Sequence, residues 1–423
     1  MKQVYSFAIR LFSFLVFLAS YFNKKADEWR SGRKNIFAEL RRKISPHDKV
    51  LWVHCASLGE FEQGRPVIDA FKEKFPHYKV LVTFFSSSGY KFCKKNLISY
   101  IFTYLPVDTP KNASRFLDLV NPDIAVFVKY EFWFNFIDEL SKRDIFFISA
   151  SAIFHKEQFY FRWYGKYFRN KLKKFTHFYV QNSESAKILE QYGFNNFSVS
   201  GDTRFDRVAH IASKEKNFAI LGKFCREDPV LIAGSIWEED EEVIFPFIFS
   251  DDLAVKIIIA PHEVHESNII RILNKCGSGA VRYSDLSVGN ADSCKIVIID
   301  SIGMLSFIYK YAKIAYIGGG FGKGIHNILE AAVFGVPVVF GPHYKTFQEA
   351  CDLIITGGAY TLNNSVEFSI LASKLLNNSE IYTRSSEAAK SYVKKNTGAT
   401  EIIVKGLEAV IKIGAETEKS LLL

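Results

Sequence analysis

The sequence predicts an α/β protein built from two doubly wound domains, each a parallel sheet covered by helices on both faces. Its 423 residues exceed what one hydrophobic core usually organises. Short, continuously apolar runs alternate with helical stretches through both halves, which is typical of buried parallel strands. A glycine cluster follows one such run in the second half, as expected where a strand turns into a helix near a ligand.

The apolar runs fall into two groups, separated near the segment Ser200–Arg207. Helices are predicted at Glu60–Phe75 and Ala113–Val120. The strands predicted for the first group are Val50–His54, Lys79–Phe84, Ile101–Tyr104, Ile124–Val128, Asp144–Ser149, Phe178–Val180 and Phe197–Val199. Those predicted for the second group are Val230–Ala233, Val255–Ile259, Ile296–Ile299, Ile314–Ile317 and Val336–Phe340. The predicted domains are therefore residues 44–203 and 204–423, with the last helix able to pack back on the first domain.

The first 43 residues read as a membrane anchor with a basic flank. The apolar segment Val4–Phe22 carries one charge, Arg10, and eight Lys or Arg side chains against three acids follow between Lys24 and Lys43. A marginal span, an interfacial helix and a cleaved signal peptide all remain possible interpretations. The basic flank places the globular part on the cytoplasmic side and predicts contact with an anionic membrane surface, the alternative being a solvated amphipathic helix.

Composition argues against two other classes of partner. The net charge of +9 is concentrated beside the apolar segment, and no nucleic-acid module is recognisable, so a nucleic-acid partner is not expected. The six cysteines have no CxxC spacing, and His262 and His265 lack a third ligand nearby in sequence. We therefore predict reduced cysteines and no metal site.

The glycine cluster lies in Ile317–His343, which reads IGGGFGKGIHNILEAAVFGVPVVFGPH. Backbone N–H groups at Gly318 and Gly319 can approach a phosphate, and the N-terminus of the following helix is expected to add its partial positive charge. His326 and Glu330 are expected on one face of that helix with Asn327 beside them, so that Glu330 can accept from ribose hydroxyls. This segment predicts a nucleotide site.

Two acids follow strands of the first domain. Ser57, Gly59 and Glu60 come directly after the first strand, with Gly59 expected to allow a tight bend and Glu60 to be either a general base or a carboxylate that stabilises the helix dipole. Glu131 and Lys129 follow the strand Ile124–Val128. Glu131 is either part of the site or a buried, salt-bridged support for it.

Three further cations or donors are candidates for the phosphate. Arg204 lies near the domain crossing, Ser235 is expected to begin a helix after its strand, and His262 follows another strand end. The acidic run Glu238–Glu242 is interpreted as a solvated first turn. All these strand ends are expected to meet at one cleft between the domains.

Taken in order, seven motifs resemble the 3-deoxy-D-manno-octulosonic acid (Kdo) transferases of lipopolysaccharide biosynthesis. They are HCASLGE (54–60), YEFWFN (130–135), GDTRFD (201–206), AGS (233–235), DSIG (300–303), GGG with HNILEAA (318–332) and GPH (341–343). The resemblance covers essentially the whole chain. It implies a GT-B glycosyltransferase fold, CMP-Kdo as donor substrate with no cofactor, and a lipid A precursor as acceptor at the inner face of the cytoplasmic membrane.

The resemblance also implies roles for individual residues. Glu60 would be the catalytic base and Glu131 a second essential acid, beside Ser57, Gly59 and Lys129 on the acceptor side. The donor would be held by Arg204, Ser235, His262, Gly318, Gly319, Asn327 and Glu330. The resemblance implies that transfer proceeds with inversion at the anomeric carbon. No DxD motif ends a strand, which predicts that the transfer needs no metal ion.

Some positions depart from the family pattern, and other functions compete. The family often has Pro-Arg-His where this chain has Pro261, His262 and Glu263, and Trp237 and Glu239 replace the usual His and Gly. A transferase using a UDP-sugar, a nucleotide-sugar epimerase and a non-catalytic, membrane-tethered binding protein are the alternatives. The anchor argues against the epimerase, and the intact acids argue against the binding protein.

Overall fold

The computed structural model describes residues 1–96, 99–226, 228–250 and 255–421, and the chain divides into two compact units. Unit 1 comprises Met1–Arg207 together with Thr397–Leu423, and unit 2 comprises Val208–Asn396. The chain therefore leaves unit 1 after Arg207 and returns to it at Thr397.

Unit 1 begins with three helices and continues as an alternation of strands and helices. The helices are α1 Lys2–Ala19, α2 Lys24–Ser31, α3 Ile36–Lys43, α4 Leu58–Lys74, α5 Ser87–Asn96, α6 Pro110–Val120, α7 Phe134–Lys142, α8 Lys166–Leu172, α9 Ser183–Gln191 and α10 Thr203–Ser213, the last of which runs on into unit 2. The strands are β1 Val50–Cys55, β2 Lys79–Phe84, β3 Ile101–Tyr104, β4 Ile124–Val128, β5 Phe146–Ala152, β6 His177–Val180 and β7 Phe197–Val199.

Unit 2 repeats the alternation, and a final helix belongs again to unit 1. The helices are α11 Ala219–Phe224, α12 Glu238–Ile248, α13 Glu266–Cys276, α14 Leu305–Ile308, α15 Leu329–Ala332, α16 Gln348–Thr356, α17 Ser365–Asn377, α18 Ser379–Lys395 and the returning α19 Ala399–Leu421. The strands are β8 Val230–Ile236, β9 Lys256–Pro261, β10 Ala280–Arg282, β11 Ile296–Ile298, β12 Ile314–Ile317, β13 Val338–Phe340 and β14 Ala359–Thr361.

Each unit contains a seven-stranded sheet, and every pairing between the described strands is parallel. The strand order is β3-β2-β1-β4-β5-β6-β7 in unit 1 and β10-β11-β9-β8-β12-β13-β14 in unit 2. The predicted doubly wound class is therefore confirmed for both sheets. In such sheets the order reverses at a switch point, where ligands bind beyond the carboxyl ends of the strands. The switch points are β1/β4 and β8/β12.

The apolar runs form strands because both faces of each sheet are covered. In unit 1, one layer packs around Trp52, Phe116 and Phe127, and the opposite layer includes Phe61 and residues of α19 such as Leu407. All twelve predicted strands are present, with ends shifted by up to three residues. The prediction missed β10 and β14, the three-residue edge strands whose side chains are mostly only half-buried.

Candidate functional site

The predicted acceptor-side carboxylates both follow strands at the switch point of unit 1. Ser57 and Glu60 come after β1, and Lys129 and Glu131 come after β4, which is paired directly with β1. Glu60 is near enough to Glu131 for its negative charge to raise the pKa of the Glu131 carboxyl. The two acids therefore lie near each other, and their roles in a site stay predictions.

Glu60 is held by the start of its own helix. Ser57 is the N-cap of α4 and Glu60 the third residue, and together they form a capping box. The Ser57 backbone N–H donates to Glu60 Oε2 at 3.0 Å, and the Ser57 hydroxyl donates to the same oxygen. Among the described residues no hydrogen bond falls on Oε1, so one oxygen is fixed while the other is available to a ligand.

Gly59 does not have the role predicted for it. It lies inside α4 rather than in a bend, and its φ is not positive. A Cβ at this position would meet only the Ser57 hydroxyl at 3.7 Å, an ordinary contact. The turn is made by the extended backbone of Ser57, so the sharp bend expected at Gly59 is wrong.

Glu131 lies in a loop that begins with a strained residue. Lys129 has φ 60°, and its backbone is held by β5, since its N–H donates to the Ala150 carbonyl at 2.9 Å and its carbonyl accepts from the Ser149 hydroxyl at 2.8 Å. Strain of this kind is concentrated at functional sites. Burial raises the pKa of the Glu131 carboxyl, the charge of Glu60 raises it further, and Lys129 lowers it.

The loop after Glu131 is tied to β1 through a buried histidine. The Trp133 indole N–H donates to His54 Nε2 at 2.8 Å, and His54 Nδ1 is 3.0 Å from the Thr83 hydroxyl on β2. Burial lowers the pKa of His54 to about 3, so the ring is neutral and able to accept. This chain of hydrogen bonds ties the loop that carries Glu131 to β1, the strand that precedes Glu60, and to β2.

Arg204 lies in unit 1, apart from the other predicted donor residues, which all belong to unit 2. Its guanidinium pairs with the buried Asp202 carboxylate at 2.7 Å. Asp202 also accepts from the Gln63 amide of α4 at 2.9 Å. The GDTRFD motif is therefore bound by a hydrogen bond to α4, the helix that carries Glu60.

In unit 2 the strand ends at the switch point approach each other closely. Ser235 has φ 54° and lies within β8 rather than at the start of a helix. A Cβ on Gly318 would come within 2.3 Å of the Ser235 carbonyl oxygen, so only glycine fits there. Gly319 has φ 90°, a conformation that also favours glycine.

Asp240 fixes this glycine turn. Its carboxylate accepts from the Gly319 N–H at 2.8 Å, the Tyr316 hydroxyl at 2.7 Å and the Trp237 N–H at 2.9 Å. Asp240 and Glu241 are buried, and Glu241 pairs with Arg271 at 2.5 Å. The interpretation of Glu238–Glu242 as a solvated turn is therefore wrong for these two acids.

The HNxxE segment is arranged differently from the prediction. The helix α15 begins only at Leu329 and is four residues long, so His326 precedes it and does not share a helical face with Glu330. Asn327 instead donates from its amide to Glu330 Oε1 at 3.2 Å, while its own oxygen accepts from the Leu329 N–H at 3.2 Å. Asn327 and Glu330 thus form one polar pair, and the short helix supplies little of the dipole that was expected.

His262 stacks on two other rings, those of Trp237 and His326. Its centroid is 4.3 Å from that of Trp237, with 25° between the planes, and 4.4 Å from that of His326, with 20° between the planes. The Trp237 indole N–H donates to His326 Nε2 at 3.1 Å. His262 is therefore in contact with His326, the residue beside Gly319, and its predicted role in donor binding stays a prediction.

Comparisons with known proteins agree along the chain. A family model for 3-Deoxy-D-manno-octulosonic-acid transferase (kdotransferase) matches residues 30–207. The 3-deoxy-D-manno-octulosonic acid transferase of Rickettsia bellii is 27% identical over 82% of this chain and 84% of the relative. That of Haemophilus influenzae is 24% identical over 87% of this chain and 88% of the relative. The chain is therefore similar to 3-deoxy-D-manno-octulosonic acid (Kdo) transferases over most of its length.

A solved structure agrees with the GT-B-like fold of this chain. The UDP-GlcNAc 2-epimerase from Neisseria meningitidis bound to UDP-GlcNAc matches with a TM-score of 0.60 over 85% of this chain and 100% of that chain. At 15% sequence identity the likeness concerns the fold alone. This likeness therefore does not identify the substrate of this chain.

Three residues that hold these candidate sites together were assigned no role from the sequence, namely His54, Asp240 and Trp237. Only Asp240 left a signal, because an acid three residues after a helix N-cap commonly reaches back to it. No group of three or more His, Cys, Asp or Glu side chains that could hold a metal ion occurs within the described ranges.

Proposed function

We propose that this protein transfers Kdo from CMP-Kdo to a hydroxyl of a lipid A precursor, with inversion at the anomeric carbon and without a metal ion. The observation that carries the proposal is the pair Glu60 and Glu131 at the switch point of unit 1, in a chain whose relatives are named as Kdo transferases over most of its length. Relatives' names supply the sugar, and the motif resemblance supplies the nucleotide and the acceptor.

Glu60 acts as the base in this proposal. Its Oε2 is held by Ser57, which leaves Oε1 to take the proton of the acceptor hydroxyl as the new carbon–oxygen bond forms. CMP leaves with the electron pair of the bond it shared with the sugar. Glu131 keeps a proton to higher pH than an ordinary glutamate because of its burial, and can donate a hydrogen bond to the acceptor.

Unit 2 supplies the donor site in this proposal. Gly318 and Gly319 bring backbone N–H groups towards the phosphate, with Ser235 and His262 beside it. The polar pair of Asn327 and Glu330 accepts from the ribose hydroxyls. Arg204 remains a predicted contact of the donor's charged groups. Because its guanidinium already pairs with Asp202, it would bind the donor and Asp202 at the same time.

The decisive experiment is transfer from CMP-Kdo generated in situ to a tetraacylated lipid A precursor. Glu60→Ala removes both the base and the cap, whereas Glu60→Gln keeps an acceptor for the Ser57 N–H. We expect wild type to form product and both variants to lose on the order of 10² to 10⁴ in rate. An active Glu60→Gln beside an inactive Glu60→Ala would reduce Glu60 to a structural cap.

Two arms of the same assay test the rest of the proposal. Product formation from UDP-sugars and not from CMP-Kdo would replace the donor. Full activity after exhaustive chelation is expected, and an absolute requirement for a divalent ion would contradict the metal-independent mechanism. The mass of the product counts the sugars transferred.

We further propose that α1 anchors the protein in the plane of the cytoplasmic membrane surface. The helix Lys2–Ala19 is long and apolar enough to cross a membrane, but the Tyr5 hydroxyl donates to the Asp108 carboxylate of unit 1 at 2.6 Å. Arg10 would lie mid-way along a span, at a cost of about 2.5–3.5 kcal/mol in insertion scales. A helix lying in the interface avoids that cost.

A further inference from the structure

The rings of Trp237, His262 and His326 meet from three separate segments of unit 2. Trp237 follows β8, His262 follows β9, and His326 follows the glycine turn after β12. The stack is left partly open to solvent, since Trp237 is 37% exposed. It also adjoins the turn itself, because a Cβ on Gly319 would be 3.3 Å from His326 Cδ2 and the His326 N–H donates to the Gly318 carbonyl at 3.2 Å.

The hydrogen bond between Trp237 and His326 fixes which nitrogen of His326 carries its proton. An indole N–H can only donate, so His326 Nε2, its acceptor at 3.1 Å, must be unprotonated. The ring is therefore neutral with its proton on Nδ1. Among the described residues His326 Nδ1 has no hydrogen-bond partner, which leaves its N–H available to donate to a ligand.

The surroundings also disfavour a positive charge on either histidine. Burial and the neighbouring His262 lower the pKa of His326 to about 4, and burial lowers the pKa of His262 although the adjacent Glu263 raises it. The nearby Asp240 carboxylate already accepts three hydrogen bonds. The donors are the backbone N–H groups of Trp237 and Gly319 and the Tyr316 hydroxyl.

We propose that Trp237, His262 and His326 form one donor-binding subsite, in which Trp237 holds His326 as a neutral Nδ1–H donor to an oxyanion of the donor substrate. The oxyanion is a phosphate or a sugar carboxylate, and the inference rests on the proposed function for the identity of that donor. Trp237 is a positioning residue here, since it acts on the ligand through His326. His262 packs against both of the other rings by stacking.

The first test reads the tautomer directly. In protein labelled with ¹⁵N-histidine, His326, assigned by the loss of its signals in His326→Asn, should be protonated at Nδ1 near neutral pH. Trp237→Phe keeps an aromatic ring for the stack and removes only the N–H donor, so His326 should then shift towards the Nε2–H form. An Nε2–H or doubly protonated His326 in wild type would overturn the proposal, whichever nucleotide the protein binds.

The second test measures calorimetric affinity for CMP and for cytidine, which differ only by the phosphate. Wild type should prefer CMP, and Trp237→Phe should lose on the order of tenfold of that preference at pH 8, because Nδ1 then faces the phosphate as an acceptor. As the pH falls towards the lowered pKa of His326, about 4, the variant should regain affinity relative to wild type at the same pH. An unchanged preference for CMP, with CMP-Kdo affinity also unchanged, would overturn the proposal.

Matched substitutions and probes separate the remaining outcomes. His326→Asn places an amide N–H near the Nδ1 position and should retain more CMP affinity than His326→Gln, whose amide lies near Nε2. If Trp237→Phe weakens CMP-Kdo but not CMP, the oxyanion is the sugar carboxylate. If wild type binds UMP and not CMP, the proposed donor is wrong. The affinities of wild type and Trp237→Phe for UMP and uridine then show whether the subsite binds the phosphate.

Discussion

At the residue scale, the two acceptor-side acids have different surroundings although both end a strand at the switch point. Glu60 is part of a capping box at the surface of its helix, whereas Glu131 is partly buried in a loop that starts from the strained Lys129. Burial and the charge of Glu60 raise the pKa of Glu131, and Lys129 lowers it. A raised pKa lets Glu131 hold a proton to higher pH than an ordinary glutamate, as a hydrogen-bond donor in acid–base chemistry requires.

The causes of the Glu131 shift can be separated by substitution. Removing the positive charge with Lys129→Met should raise the pKa of Glu131 above its wild-type value, and removing the negative charge with Glu60→Gln should lower it. The pKa is read from the side-chain carboxyl resonance in ¹³C-glutamate-labelled protein, assigned through its loss in Glu131→Gln. Lys129→Arg keeps the charge and is the control. Identical titrations in all four proteins would mean that burial alone sets the shift.

The sequence could predict which acids follow the strands but not which groups they contact. Glu60 and Glu131 were found because an apolar run predicts its own carboxyl end. Asp240 was interpreted as solvated because its partners Tyr316 and Gly319 lie 76 and 79 residues away in the sequence. A local pattern could indicate only its contact with the N-cap Trp237. Trp237 and His262, which looked like unrelated departures from the family pattern, are in stacking contact.

At the element scale, the returning helix α19 is fixed to unit 1 at its first turn. The Asp206 carboxylate accepts from the backbone N–H groups of Gly398 at 2.6 Å and Thr400 at 2.7 Å, so a distant side chain does the work of an N-cap. Further along, Lys74 of α4 pairs with Glu408, and Ile403 and Leu407 are buried in the core. The last acid of GDTRFD therefore has a structural function.

We expect Asp206→Ala to loosen α19 by about 1–2 kcal/mol, the usual cost of a lost cap. Hydrogen exchange should become faster at the amides of Gly398 and Thr400 and through the first turns of the helix, while β1 and β4 keep their protection. Asp206→Asn retains a side-chain oxygen and should lie between Asp206→Ala and wild type. Unchanged exchange in Asp206→Ala would show that apolar packing alone holds the helix.

Elements were predictable where a local pattern determined them. Strands buried on both faces appear as apolar runs, so β2, β3, β4 and β12 match their predicted bounds. The helix expected after the glycine cluster is shorter because His326 and Asn327 bond to Trp237 and Glu330 rather than continuing a helical ladder. Such side-chain competition with the backbone depends on tertiary contacts that the sequence does not reveal.

At the scale of the whole molecule, the charge of the N-terminal region is less available to lipid than the sequence suggested. Arg33 lies among aromatic rings, 3.9 Å from the centroid of Trp29, and donates to the carbonyls of Trp29, Phe85 and Leu105. It therefore supports the fold rather than facing a membrane. The remaining basic side chains, and the apolar outer face of α1, carry the proposed membrane contact.

The in-plane anchor makes a prediction that separates membrane binding from folding. Phe7, Leu11 and Leu15 form one stripe along α1 and are 67%, 45% and 54% exposed. Replacing all three with Gln should reduce sedimentation with anionic vesicles and leave the unfolding midpoint unchanged, because these side chains are largely unburied. Tyr5→Phe should lower the unfolding midpoint and leave the sedimentation with vesicles unchanged. The reason is that Asp108 loses one of its hydrogen-bond donors, which costs about 1–3 kcal/mol of stability.

A reporter on the N-terminus distinguishes the two modes of anchoring. With protein added to the outside of sealed vesicles, an in-plane helix leaves a fluorophore at residue 2 open to an added quencher, whereas a spanning helix carries it into the lumen. We expect full quenching in wild type. Protection of the fluorophore, released by detergent, would establish a span and would require the contact between Tyr5 and Asp108 to be absent in the membrane.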